Sequence, residues 1–328
     1  MYPINIVPFL KDVLITIVVP TYQGSPLVKE TLESVLNQSS SDWSCLVVDD
    51  SQREIPPREI SSFFEDVRFS WLKREGAMGA NGARNTGLRA CRGGLVSFLD
   101  DDDLLSPSAV ENRLCFVEEF PDSDLWIFPN YSFRQVPGDQ NQYACFPEKS
   151  LDSDVTRLFR VQHPWITSGP LWTKSFLVQI GGWNEELVAW QDWELNLRAL
   201  LVAPQYVRSK DGDNFRRKGN RERKTISSQT RSFAEMKAIL DSINSLFVKS
   251  SEKGLVEKED RAKCLKVFLS YSSLRLTLRD FLKLSSCCFG KKRGGVLLVR
   301  CFLYHRVRRV PILKDSEKAA LILPLNLI

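Results

Sequence analysis

Four consecutive aspartates, Asp100 to Asp103, follow the wholly apolar run Leu95 to Leu99 apart from Ser97. Like carboxylates at that spacing repel and raise one another's pKa. A divalent cation relieves the repulsion, and Mg2+ or Mn2+ often takes only one or two protein carboxylates plus phosphate oxygens. A solvated turn with helix-capping aspartates is the plainer alternative. Asp49-Asp50 and Pro20-Thr21-Tyr22 also follow apolar runs. Gly79-Ala80-Asn81-Gly82-Ala83-Arg84-Asn85-Thr86-Gly87 sets an arginine among small residues, where a backbone approaches closely and a guanidinium can meet an anion. A glycine-rich turn with a surface arginine is the alternative there. Asp192, between Gln191 and Trp193, opens an amphipathic stretch, and taken alone it reads as a helix N-terminal charge more readily than as a base. The chain holds only two histidines, His163 and His305, so acid, base and metal chemistry must lean on carboxylates. Neither GxGxxG after the first apolar run nor GxxxxGK[ST] is present, which argues against a nicotinamide site and a P-loop.

These residues need strands to present them. Val13–Val19 is a β-branched run ended by Pro20, the pattern of a strand buried on both faces of a parallel sheet. Residues 26–38 predict a helix with Val28, Leu32, Val35 and Leu36 on one face, and Trp43–Val48 the next strand. A strand at Val67–Leu72, a helix at Gly79–Cys91, a strand at Leu95–Leu99 and a helix at Ser108–Glu119 repeat the βαβ unit. The short run Leu125–Phe128 comes before an irregular region, 129–165, broken by prolines. The turn 180–187 then precedes a helix over 190–201, and Val202–Arg208 reads as the final strand. Residues 210–231 read as a loop, and 232–248 and 261–284 as amphipathic helices. Ligands in such sheets bind beyond the carboxyl ends of the strands, where the aspartates fall.

The 328 residues can bury a sizeable core, and the net charge of +5 hides a division. Residues 1–204 carry 17 basic and 28 acidic side chains, whereas 205–328 carry 28 and 12. We expect a catalytic domain over 1–210 and a basic, largely helical region over 211–328. Residues 281–314 hold nine Lys and Arg and no acid, interleaved with apolar residues, which suits an anionic membrane surface or the packing face of a helical appendage. The eight cysteines lack CxxC or zinc spacing and read as reduced thiols. No run is long enough to span a bilayer and the start lacks a secretory pattern, so the expected location is cytoplasmic, with peripheral contact at the cytoplasmic face of a membrane through 281–314.

Taken in order, PTY, VVDDS, GANGARNTGL, SFLDDDDLLSP, GGWNEEL and WQDWELNLR have the order and spacing of the family 2 glycosyltransferases, and over about residues 13–209 the chain resembles that family. The resemblance implies a GT-A type, Rossmann-like α/β fold and an inverting transferase that uses a nucleotide-diphosphate sugar, commonly a UDP-sugar. It puts Thr21 and Tyr22 beside the nucleoside, Asp50 on the base, Arg84 near base or phosphates and Asp101 near the ribose. Asp102 becomes the ligand of Mn2+ or Mg2+, with Asp103 behind it. Asp192 becomes the general base, with Gln191 and Trp193 lining the acceptor side. Many relatives carry a histidine after the last catalytic strand; Arg208-Ser209-Lys210-Asp211-Gly212-Asp213-Asn214 has none. With 281–314 on a membrane surface, the expected acceptor is a glycan or lipid-linked glycan of polysaccharide or cell-envelope synthesis. Two other readings stay open on the residues alone: a sugar-1-phosphate nucleotidyltransferase, which should show a basic glycine-rich loop where PTYQGSP stands, and a non-enzymatic polyanion binder acting through the basic C-terminal part.

Overall fold

A computed structural model describes residues 14–139, 142–143, 152–218 and 232–273. The expected membrane-contact stretch 281–314, His305 and Cys145, Cys287, Cys288 and Cys301 lie outside them. The described residues fall into two compact units, one from 14–139, 142–143 and 162–218, the other from 152–161 and 232–273.

The first unit is an α/β domain. Its strands and helices run β1 Ile15–Thr21, α1 Val28–Leu36, β2 Trp43–Asp49, a 3-10 helix Arg58–Glu65, β3 Phe69–Lys73, α2 Ala80–Ala90, β4 Leu95–Phe98, β5 Leu104–Leu105, α3 Ala109–Glu119, β6 Leu125–Ile127, β7 Asn130–Phe133 and β8 Gln142–Tyr143. After the helix α4 Asp154–Phe159 of the other unit come β9 Pro170–Thr173, α5 Lys174–Gln179, α6 Gln191–Leu201, β10 Tyr206–Arg208 and β11 Asn214–Arg217. One sheet has the order β10-β6-β9-β4-β1-β2-β3; β9 is antiparallel to both neighbours and the other pairings are parallel. A smaller sheet has the order β5-β11-β7-β8.

All seven residues of β1 are buried, as a strand with a partner on each edge and helices on its faces requires. The strand runs through Pro20 to Thr21 instead of ending before the proline. The carbonyl of Val18 accepts from Leu99, so Pro20, two residues on, turns its missing N–H to the same side, where β4 has already ended. In α1 the buried side chains are Val28, Thr31, Leu32 and Val35, while Leu36 is 38% exposed, so Thr31 takes the place expected for Leu36 on the inner face. Helix α2 lies so close to β1 that a Cβ on Gly87 would come within 2.3 Å of Val18. Trp43, Trp126, Trp172 and Phe98 are buried in this unit, each contributing about 1.5–3 kcal/mol by leaving water.

Sequence reading placed β10 last, but β11 follows it within the expected loop and pairs antiparallel with β5 and parallel with β7. Irregular residues 129–165 likewise contain β7 and β8.

The second unit is helical. Besides α4 it contains α7 Phe233–Glu252 and α8 Lys258–Ser273. Ser232 and Glu235 form a reciprocal capping box at the start of α7, which buries Met236, Ile239, Leu240, Ile243 and Leu246 along one stripe. Arg160 after α4 bonds Asp260 of α8 at 2.9 Å, and Phe159 meets Phe247 edge-on at 5.9 Å. Cys45, Cys91 and Cys264 are buried free thiols and Cys115 an exposed one. Burial pushes the Cys264 thiol up to about 12.

Candidate active site

Parallel pairing brings the ends of β1, β2 and β3 level: Thr21 is in register with Asp49, and Asp49 with Lys73. Asp49 is fully buried and its carboxylate closes its own turn, accepting from the N–H of Gln23 at 3.0 Å, the N–H of Arg53 at 2.8 Å and the hydroxyl of Ser51 at 2.7 Å. Asp50 faces the other way. Its Oδ1 accepts from the N–H of Gly79 at 2.8 Å and lies 2.5 Å from Arg74 Nε. Gly79 caps α2 with φ +119°, a conformation that favours glycine, so the helix start and Asp50 are fixed together. Sequence reading missed Arg74, which has no motif around it and acquires meaning only when β3 is set beside β2.

The aspartates after β4 are held from several directions. Arg84 Nη2 donates to Asp100 Oδ1 at 2.7 Å, and the Thr21 hydroxyl donates to Asp101 Oδ2 at 2.8 Å. Asp103 is buried; its Oδ1 accepts from the N–H of Arg217 in β11 at 2.9 Å, and its carbonyl accepts from the Thr31 hydroxyl at 2.9 Å. Burial, followed by the charges of Asp100 and Asp102, pushes the Asp103 carboxyl well above the usual carboxylate range, against the opposing pull of the Arg217 N–H. Asp102 is half-buried, and its carbonyl accepts from Arg217 Nε at 3.0 Å. Among the described residues, no group of three or more His, Cys, Asp and Glu is placed to enclose a metal ion.

The glycine-rich motif turns out to be a docking surface as well as an anion-facing one. Asn85 Nδ2 donates to the carbonyl of Trp183 at 2.8 Å, its Oδ1 accepts from the Trp183 N–H at 2.8 Å, and Asn81 donates to the carbonyl of Asn184 at 2.7 Å. The GGWNEEL turn is thereby fastened to α2 across about a hundred residues of sequence. Arg84, only 5% exposed, lies over the Trp183 ring at 4.5 Å and reaches Gln191 Oε1 at 3.2 Å. One guanidinium therefore touches both Asp100 and the residue before Asp192.

Asp192 sits in the first turn of α6, half-buried, with Oδ1 accepting from the Trp193 N–H at 2.8 Å. Trp193 is buried, and half-buried Gln191 is held by Arg84 and by the Leu187 carbonyl. Trp190, which sequence reading passed over, precedes them at φ +61°, a conformation unusual for a bulky residue and characteristic of functional turns. Tyr22 is 59% exposed beside Thr21. Asp213, in the segment that lacks the histidine, is buried in a bidentate pair with Arg113 at 2.7 and 2.8 Å; Lys210 and Asp211 are exposed. His163 is half-buried ahead of β9.

Comparison with known proteins agrees with this geometry. Residues 16–155 match the profile of glycosyl transferase family 2. An uncharacterized glycosyltransferase of Methanocaldococcus jannaschii is 26% identical over 191 residues, 57% of this chain and 64% of that protein. The Escherichia coli UDP-Glc:alpha-D-GlcNAc-diphosphoundecaprenol beta-1,3-glucosyltransferase WfgD is 33% identical over 105 residues, 32% of this chain and 41% of that one. The chain thus spans less than two thirds of the length of these curated relatives. The structure of S. aureus TarS residues 1–349 with UDP-GlcNAc superposes with a TM-score of 0.62 at 16% identity, covering 94% of this chain and 89% of that one. Motifs, sheet order and matched profile agree: over residues 16–155 the chain is similar to glycosyltransferase family 2, and it has the GT-A fold.

Proposed function

We propose that the chain transfers a sugar from a nucleotide-diphosphate sugar, a UDP-sugar, to an acceptor hydroxyl with inversion at the anomeric carbon. The observation that carries the reading is Arg84, which bonds Asp100 at 2.7 Å and Gln191 at 3.2 Å and so places the aspartate loop beside the residue preceding Asp192. A donor site and a base on its acceptor side require that proximity.

In this reading Thr21 and Tyr22 flank the nucleoside and Asp101 lies near the ribose. The Gly79 N–H and Arg74 Nε both meet Asp50 at Oδ1, and Oδ2 is the oxygen that accepts an N–H of the base. Arg84 serves the donor side through Asp100. Half-buried Asp101 and Asp102 offer hard oxygen donors, a set that suits Mn2+ or Mg2+ whose remaining positions are filled by phosphate and water. Asp102 would hold that cation, which when bound neutralises charge on the departing diphosphate. Asp192 Oδ1 is occupied by the Trp193 N–H, so Oδ2 takes the acceptor proton. The acceptor oxygen bonds the anomeric carbon as the bond to the diphosphate oxygen breaks. The nucleoside diphosphate departs with that electron pair, and no covalent enzyme intermediate forms.

The acceptor class we propose is a glycan or lipid-linked glycan of envelope polysaccharide synthesis. Support comes from the E. coli relative, named for a diphosphoundecaprenol acceptor, and from the basic, apolar stretch 281–314, which suits peripheral contact with an anionic membrane. No helix of the described residues is long and apolar enough to cross a membrane.

The test is a screen of nucleotide-sugars for hydrolysis or transfer, with and without Mn2+, on the wild-type chain and Asp102→Ala. Turnover of a UDP-sugar that needs Mn2+ and is lost in the variant is the expected result. Turnover of none, or Mn2+-dependent turnover unaffected by the substitution, contradicts the reading.

A further inference from the structure

Strand β11 supplies the aspartate loop with a support that the family motifs do not contain. Its register sets Phe215 against Leu104 and Asn214 against Leu105, directly after Asp103, so the end of the acidic loop is one strand of a small sheet and β11 is its neighbour. At the end of β11, Arg217 acts on the loop twice. Its N–H holds the Asp103 carboxylate at 2.9 Å and its Nε holds the Asp102 carbonyl at 3.0 Å. The rest of the guanidinium is anchored outward: Nη2 donates to Glu30 of α1 at 2.6 Å, and the group lies over the Phe133 ring of β7 at 4.4 Å. The side chain is 10% exposed. A planar fork gripped on three sides has little freedom, and a lysine cannot reproduce it because an ammonium lacks the fixed geometry and the face that stacks.

We propose that Arg217 is a positioning residue that fixes the backbone of Asp102 and thereby sets the affinity of the Asp102 loop for a divalent cation and the diphosphate it accompanies. The proposal rests on the assignment of Asp102 to the cation. Groups that orient a metal-holding carboxylate without touching the ion change affinity about 10–100-fold when removed. Arg217 acts through the peptide that carries Asp102, with Glu30 as the outer anchor. This places the control of cation affinity in β11 and α1, outside the aspartate motif itself.

The probes are Mn2+ and UDP. Free Mn2+ is followed by electron paramagnetic resonance as UDP is added, and UDP binding in EDTA gives the cation-free baseline. Arg217→Lys keeps a positive charge opposite Glu30 and so guards against loss of folding, which thermal melting checks; Arg217→Gln removes the charge, and Glu30→Gln loosens only the anchor. Expected is Mn2+ uptake with UDP weakened about 10-fold or more in Arg217→Lys and Arg217→Gln and by a smaller factor in Glu30→Gln, with UDP binding in EDTA unchanged. Mn2+ uptake within twofold of wild type in folded Arg217→Lys overturns the proposal, as does an equal loss of UDP binding in EDTA, which would mark a general structural role. Wild-type protein that binds UDP but takes up no Mn2+ removes the cation assignment and the proposal with it; wild-type protein that binds no UDP removes the donor reading itself.

Discussion

Two acidic turns lie on either side of the end of β1, and their carboxylates are held in opposite ways. Asp49 after β2 gathers its partners from its own turn and from Gln23 just past β1, and it is wholly buried. The loop Asp100–Asp103 after β4 is gripped from distant elements: by the side chains of Arg84 of α2 and Thr21 of β1, and by Arg217 of β11, whose backbone N–H holds the Asp103 carboxylate and whose Nε holds the Asp102 carbonyl. A carboxylate satisfied by neighbouring backbone donors stabilises a turn. A run of carboxylates held together by elements far apart in sequence keeps like charges close, and that costs free energy unless a cation balances it. Asp49 maintains the fold, and Asp100–Asp103 are the aspartates proposed to meet a ligand.

The comparison breaks most sharply at Asp102. Asp102→Ala should lower transfer at least about 100-fold while leaving the melting temperature near that of wild type, because the lost charge relieves repulsion in the loop. Steady-state kinetics beside a thermal melt checks both halves. Arg84 comes next. Arg84→Lys loses the fork that spans Asp100 and Gln191 and the stack on Trp183, and about a 10-fold fall in kcat is expected with destabilisation of about 1–3 kcal/mol. Chemical denaturation run alongside the assay separates the two effects.

Asp49→Ala should do the reverse of Asp102→Ala. It leaves the N–H groups of Gln23 and Arg53 without their acceptor, costs about 2 kcal/mol in denaturant titrations, and leaves kcat of the folded protein within a few-fold of wild type. The smallest effect is expected at Asp66, whose carboxyl is held below its ordinary value chiefly by the Arg68 side chain. A depressed carboxyl contributes stability that is present above its unfolded pKa and lost as pH falls through the folded value. Asp66→Asn should therefore cost no more than about 0.5 kcal/mol at neutral pH, and less in acid, as seen by denaturation at pH 7 and pH 3.

The frame of the site was legible because its strands are short β-branched runs that end in polar residues. Ile15–Val19 and Trp43–Val48 can hardly be anything else, and the periodic stripes of α6 and α7 announce their helices. What escaped is held by nonlocal pairing. Asn214-Phe215-Arg216-Arg217 is polar and charged, and it is a strand only because β5 and β7 lie on either side of it. Arg113 and Asp213 are a hundred residues apart, and nothing near either predicts their pairing. Leu36 was assigned to the inner face of α1 although Thr31 has the better geometry, because a hydroxyl that reaches the Asp103 carbonyl carries no hydropathy signal. The motif around Arg84 marks it as a group for an anion; its burial and its bonds to Asn81, Gln191 and Asp100, which also join two motifs, carry no local signal.

The central claim is that the aspartate loop and the start of α6 are the donor and acceptor halves of one site. Asp192→Asn tests it most directly, because the substitution keeps the acceptor for the Trp193 N–H and removes only basicity. UDP affinity and transfer rate, measured on the same preparation, should part company: affinity within about twofold of wild type and transfer lower by about 1000-fold. Full transfer activity in Asp192→Asn, or a fall in UDP affinity that matches the fall in rate, would contradict the account.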